Sequence, residues 1–198
     1  MPAEKIRVIP LAYEAAAGSR SFQRHYPSAF NARRPLRVLF LGQINLRKGA
    51  SQLLEAIKLL SGENVEFWFV GPMQIRLPED LRLHPQVRWA GVARRVEVDR
   101  YYRDADVFIL PSLSDGFGLT QLEAQSWQLP VIASRRCGEV VRDGENGAIL
   151  EDVSGQAIAA VVLDFLRSPK TLRAMSTKSV LDDRFSLSTL ATSLRDLD

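Results

Sequence analysis

A chain of 198 residues with 46% hydrophobic and 25% charged side chains has the size and composition of one globular domain with a full core. Its formal charge of +3 suits a small anionic ligand but is too slight and scattered for nucleic acid, and no apolar run nears the ~18 residues of a membrane span. The single cysteine, Cys137, excludes an internal disulfide and fits a reducing compartment, so a cytoplasmic location is expected.

Taken in chain order, residues 11–35 carry Gly18, Pro27 and Pro35 with little periodicity and read as an irregular lead. Arg37-Val38-Leu39-Phe40-Leu41 is a buried strand by its β-branched and aromatic content. After Gly49, Leu53, Leu54, Ile57 and Leu60 recur at helical spacing. Phe67–Gly71 and Val87–Gly91 read as the second and third strands. A short helix through Tyr101 and Tyr102 leads to a fourth at Val107–Leu110. A helix through Glu123, a strand at Val131 and a short strand at Ala148–Leu150 follow. The tail reads as helices over Gln156–Arg167 and Lys170–Asp182, then a last one after Phe185-Ser186.

Strands separated by helix-length segments imply an α/β fold: a Rossmann-like parallel sheet with helices on both faces. Such sheets bind ligands beyond the carboxyl ends of their strands. Gly42, Gly71, Gly91 and Pro111-Ser112 each follow a strand, so their loops gather at that edge.

The most informative stretch lies there, Pro111-Ser112-Leu113-Ser114-Asp115-Gly116-Phe117-Gly118-Leu119-Thr120-Gln121-Leu122-Glu123-Ala124. An apolar strand runs into a small-residue loop that opens a helix, and carboxylates at Asp115 and Glu123 stand eight positions apart. Unpaired amides at a helix start attract phosphate, and Gly116 and Gly118 let an anion approach the backbone. A carboxylate farther along can accept from sugar hydroxyls. The loop therefore suits a phosphorylated sugar.

This stretch resembles the acidic-x7-acidic signature of retaining glycosyltransferases of the GT-B fold, especially glycosyltransferase family four (glycosyl transferases group 1). Lys5–Pro10 resembles that family's linker strand, Gly42 to Lys48-Gly49 its first phosphate loop, Leu129–Ser134 its next strand, and Asp143-Gly144-Glu145-Asn146-Gly147 its late turn. The resemblance implies the C-terminal half of a GT-B fold: a linker strand and irregular lead over 1–35, then a nucleotide-sugar-binding Rossmann-like domain over 36–198, without the N-terminal acceptor domain.

The same resemblance assigns candidate roles. Lys48 would contact the donor diphosphate and stabilise the charge that grows as the sugar leaves; an ordinary solvated lysine is the plain alternative. Gln43 stands where the family commonly has arginine, and Arg47 is the cation that could substitute for it. Asp115 would lie near the donor sugar, although an aspartate before a helix is also readable as an N-cap. With Lys48 it forms the expected catalytic pair, without acting as a nucleophile. Glu123 would accept from the nucleotide ribose, an exposed solubilising glutamate being the alternative. Gly116, Phe117, Gly118 and Leu119 would bind through their amides, and the Phe117 ring reads equally as a core anchor.

Several patterns narrow the function. No phosphate-loop NTPase motif and no dinucleotide fingerprint is present. His25 and His84 are isolated, so no metal site is expected; the resemblance to GT-B transferases likewise implies metal-independent chemistry. Cys137 reads as structural, and the pairs Arg33-Arg34, Arg94-Arg95 and Arg135-Arg136 read as solvated surface. The expected function is a hexosyltransferase-type donor domain, using a UDP-sugar or GDP-sugar as substrate and no cofactor, and inactive without its acceptor domain. The alternative is a non-catalytic nucleotide-binding or regulatory module of the same fold.

Overall fold

A computed structural model of the chain describes residues 8–196. Its centre is a parallel sheet of six strands: β1 (Leu36–Leu41), β2 (Val65–Val70), β3 (Val87–Gly91), β4 (Val107–Leu110), β5 (Val131–Ser134) and β6 (Gly147–Leu150). Their spatial order is β3-β2-β1-β4-β5-β6, the doubly wound arrangement in which strand order reverses between β1 and β4. Val38 pairs with Phe67 on one side and Val107 on the other. Among the described residues seven α-helices accompany the sheet: α1 (Ala50–Leu59), α2 (Glu79–Arg82), α3 (Arg95–Asp104), α4 (Thr120–Ser126), α5 (Gly155–Arg167), α6 (Pro169–Lys178) and α7 (Leu187–Arg195).

The period of two along the strands divides the core. Val38, Phe40, Phe67, Phe69, Ile109 and Ile132 meet Leu53 and Ile57 of α1 and Ile158, Val162 and Phe165 of α5. Leu39, Trp68, Val70, Phe108, Leu110 and Ala133 face the other way, against Tyr102 of α3 and Ala124 of α4. Both faces of β4 and β5 are buried, which explains the apolar runs Val107–Leu110 and Val131–Ala133. α1 thus leaves β1 toward one face and α4 leaves β4 toward the other, opening a crevice between their entrance loops.

Three elements differ from expectation. α6 stops at Lys178 rather than running to Asp182, because Ser179 turns out of the helix and its buried hydroxyl donates to the carbonyls of Asn146 (3.1 Å) and Met175 (3.0 Å). The four-residue α2 had no periodic signal long enough to reveal it. Of the strand expected at Lys5–Pro10, residues 5–7 lie outside the described residues and 8–10 have no regular structure.

The lead segment folds against the sheet despite lacking strands. Tyr26 and Phe30 enter the first core, and the Tyr26 hydroxyl donates to the Asp106 carbonyl at 2.8 Å. Arg34 is not solvated surface as expected: its guanidinium grips both carboxylate oxygens of Asp106 at 2.6 Å, and the Asp106 side chain is only 2% exposed. The Arg24 guanidinium donates to the carbonyls of Tyr102 and Arg103 in the last turn of α3 and Ala105 beyond it, and to those of Trp127 and Gln128 past α4. One cation therefore satisfies the final carbonyls of two helices. Arg24→Ala is expected to lower stability by about 2–4 kcal/mol in urea denaturation. Arg24→Lys should recover only a fraction, because an ammonium cannot span both helix ends. An unchanged midpoint in Arg24→Ala would mean that water serves these carbonyls equally well.

Candidate functional site

The crevice at the strand-order reversal is walled by the β1–α1 loop (residues 42–49) and the β4–α4 loop (residues 111–119). In the first wall, Leu46–Lys48 form a single 3₁₀ turn, capped by the Asn45 side chain accepting from the Lys48 amide at 3.0 Å. The second wall is clipped to it. The Leu113 amide donates to the Arg47 carbonyl at 2.8 Å, and Arg47 Nη1 donates to the Ser114 carbonyl at 3.1 Å. Gly49 then packs directly against the Pro111 carbonyl.

These contacts bring Lys48 and Asp115 together from 67 positions apart: Lys48 Nζ forms an ion pair with Asp115 Oδ2, and the two side chains are 15% and 11% exposed. The second cation is at hand, with Arg47 Nη1 4.0 Å from Asp115 Oδ1. Asp115 is no N-cap. α4 begins at Thr120 after Leu119, and the Asp115 amide donates to the Arg136 carbonyl at 3.0 Å. Gln43 is exposed, and its Oε1 accepts from Asn45 Nδ2 at 3.4 Å.

Beyond Asp115 the backbone amides of Gly116, Phe117, Gly118 and Leu119 donate to no protein acceptor among the described residues. Four consecutive unpaired N–H groups beside a lysine form a concavity suited to an anion. Gly118 turns through φ +77°, and a side chain there would run into Leu110 Cδ2 at 2.6 Å. The Phe117 ring takes the core-anchor role, packing edge-on against Phe185 (5.7 Å) and covering Gly138. The Phe117 carbonyl accepts from the Gly138 amide (2.8 Å) and from Gln121 Nε2 (3.0 Å), and Gln121 Nε2 also reaches the Gly138 carbonyl (3.2 Å). Fully buried Gln121 thus braces the site loop against the turn after β5, a role with no local signature in the sequence.

Glu123 stands on α4 and meets Tyr102 of α3. Tyr102 donates its hydroxyl to Glu123 Oε2 at 2.7 Å, leaving Oε1 without a protein partner among the described residues. Burial, and then the Glu123 charge, push the Tyr102 hydroxyl pKa well up, so it stays protonated and a donor. Burial, and then the Glu123 charge, raise the Tyr13 hydroxyl pKa as well. The Tyr102–Glu123 partnership was not identifiable from sequence, since it joins two different helices.

Cys137 lines a cleft of about 580 Å³ beyond β5 with Arg135, Glu139 and Arg142. Burial pushes its thiol up to about 11, so it is no ready nucleophile at neutral pH. Arg94 and Arg135 pair with exposed Glu97 and Glu151. Among the described residues, no group of three or more His, Cys, Asp and Glu side chains gathers to hold a metal, and no helix is long and apolar enough to cross a membrane.

The doubly wound sheet, with its crevice at the reversal point, defines a Rossmann-like α/β domain. The chain belongs to the glycosyl transferases group 1 family, whose model matches residues 24–180. It is 28% identical over 183 residues to the amylovoran biosynthesis glycosyltransferase AmsK of Erwinia amylovora, covering 82% of this chain and 42% of AmsK. The chain spans about two fifths of the length of AmsK and of two further curated glycosyltransferases it matches, and less of others. Among solved structures it superposes on HepE of Anabaena in complex with UDP with a TM-score of 0.70 and 19% identity, covering 82% of this chain and 48% of HepE. The C-terminal domain of LpcC, a glycosyl transferase group 1 family protein of Francisella tularensis, gives a TM-score of 0.63 at 22% identity, covering 88% of this chain and 96% of that one.

Proposed function

We propose that this chain is the donor-binding, C-terminal half of a cytoplasmic retaining GT-B enzyme of glycosyltransferase family four, which moves a hexose from UDP or GDP to an acceptor held by an N-terminal domain. The observation that carries the reading is the run of unpaired amides at 116–119 facing Lys48 across one crevice. The diphosphate would lie on those amides and on Lys48, with Arg47 supplying the charge that Gln43 lacks. Glu123 would accept from the ribose through its open oxygen, Tyr102 fixing the other. Asp115 would meet the sugar. Fixed cations and amides stabilise the leaving diphosphate without a metal or cofactor.

The comparisons support the donor and the placement. HepE has been solved with UDP and with UDP-glucose, and the matched LpcC structure is itself a C-terminal domain. Residues 36–198 form the nucleotide-sugar domain in this reading, with 1–35 as linker and lead, and the chain alone would bind donor without transferring sugar. Neutral Gln43, and an Asp115 already engaged with Lys48, favour as second reading a non-catalytic nucleotide-binding module.

Calorimetric titration of the chain with UDP, GDP and ADP, then with the matching sugar nucleotides, tests this. Saturable binding of one nucleotide, weakened at least about tenfold in Glu123→Ala by loss of a charged hydrogen-bond acceptor, is expected. Binding unchanged in Glu123→Ala would remove the ribose assignment. Sugar transfer by the full-length protein would exclude the non-catalytic module, and turnover by this chain alone would overturn the two-domain account.

A further inference from the structure

The Lys48–Asp115 contact has a chemical consequence for ligand choice. The Asp115 carboxylate lies on the lysine and 3.5 Å from the position that a side chain on Gly118 would take, so it sits at the mouth of the amide concavity. Its backbone is pinned by the hydrogen bond its amide donates to the Arg136 carbonyl, and its neighbour Ser112 Oγ stands 3.5 Å from Oδ2, which limits its retreat. The group that neutralises Lys48 therefore occupies the edge of the space where a phosphate would go.

We infer that Asp115 is a built-in counterion that selects the intact sugar nucleotide over the bare nucleoside diphosphate. An incoming diphosphate takes Lys48 from Asp115 and leaves that carboxylate facing a new anion. A free nucleoside diphosphate carries the larger charge at its terminal phosphate and has no donor to offer the displaced carboxylate, so both effects oppose it. In a sugar nucleotide that phosphate is esterified, and a sugar hydroxyl can donate to Asp115. Asp115 thereby weakens the product left after sugar transfer more than it weakens the donor, and so acts as a specificity-determining and product-releasing residue. The inference rests on the donor-site reading above.

Titration of the chain and of its Asp115→Asn variant with UDP, GDP and ADP, and with UDP-glucose, GDP-mannose and ADP-glucose, separates the two. Asp115→Asn is expected to bind the bare diphosphate about tenfold tighter or more, while the matching sugar nucleotide gains little or loses affinity, so the preference for donor over product collapses. Asp115→Ala should move in the same direction, which guards against an effect peculiar to the amide. A diphosphate affinity that is unchanged or weaker in both variants overturns the counterion role and leaves the donor site standing. Absence of binding by any nucleotide to the parent chain and to both variants overturns the donor-site reading, and this inference with it.

Discussion

Replacing Lys48 with alanine is expected to weaken nucleoside-diphosphate binding by about 100-fold or more, the largest functional loss from any single side chain of the crevice. Two effects act in the same direction. The ammonium pairs with the residue that precedes the unpaired amides, and its removal also leaves the Asp115 carboxylate, 11% exposed, facing the incoming phosphate with only the half-exposed Arg47 guanidinium, 4.0 Å away, to offset it. The same poorly compensated charge should lower fold stability by roughly 3 kcal/mol, so reduced binding in Lys48→Ala alone would be ambiguous. The double variant Lys48→Ala/Asp115→Asn resolves this. Removing both charges should restore most of the stability lost in Lys48→Ala, measured by urea denaturation, while diphosphate affinity stays well below that of the parent chain. Recovery of full affinity in the double variant would show that Lys48 acts only as the partner of Asp115 and touches no phosphate.

What the sequence reveals about this protein is governed by the distance over which each interaction acts. Val107–Leu110 and Val87–Gly91 were legible to the residue, because a run of apolar and β-branched residues ending at a turn is a local pattern. The crevice was legible for the same reason: glycines and small residues directly after strands place their loops at one edge, and the β3-β2-β1-β4-β5-β6 order puts the first and fourth of those loops side by side. The partners within the crevice were not. Lys48 and Asp115 come from different loops, Tyr102 reaches Glu123 from another helix, and Gln121 braces a turn that follows the next strand. Each residue type there fits a solvated face equally well. Arg34 shows the cost of local reading: beside Arg33 it looks like surface charge, whereas its partner Asp106 lies buried at the start of β4. Likewise α6 carries helical periodicity past its true end, and only the buried Ser179 hydroxyl bonds explain the stop.

Gly49→Ala is expected to damage the fold more than any other single methyl group added to the crevice, because it combines a backbone cost with a collision. Gly49 has φ +75° and ψ 22°, a left-handed conformation that costs an alanine about 1–2 kcal/mol. The added methyl would also fall onto the Pro111 carbonyl oxygen, within 2.8 Å of its carbon and 3.1 Å of the Pro111 ring. Both neighbours are backbone or a rigid ring, so the relief must come from the two loops moving apart. That motion stretches the Leu113–Arg47 hydrogen bond, now 2.8 Å, and draws Lys48 away from Asp115. It also disturbs both helical turns that meet here. The Gly49 amide closes the 3₁₀ turn onto the Leu46 carbonyl at 3.0 Å, and its own carbonyl accepts from Leu53 in the first turn of α1, also at 3.0 Å. The summed loss should exceed about 4 kcal/mol, in the range reserved for overpacking joined to backbone strain. Gly62→Ala supplies the control. Gly62 has φ +87° but nothing within 4 Å of an added methyl, so only the left-handed cost of about 1–2 kcal/mol applies. Comparing the two variants by urea denaturation isolates the collision from the strain. If Gly49→Ala proves no worse than Gly62→Ala, the loops separate freely, and the crevice lacks the rigidity that holding a diphosphate between Lys48 and the 116–119 amides requires.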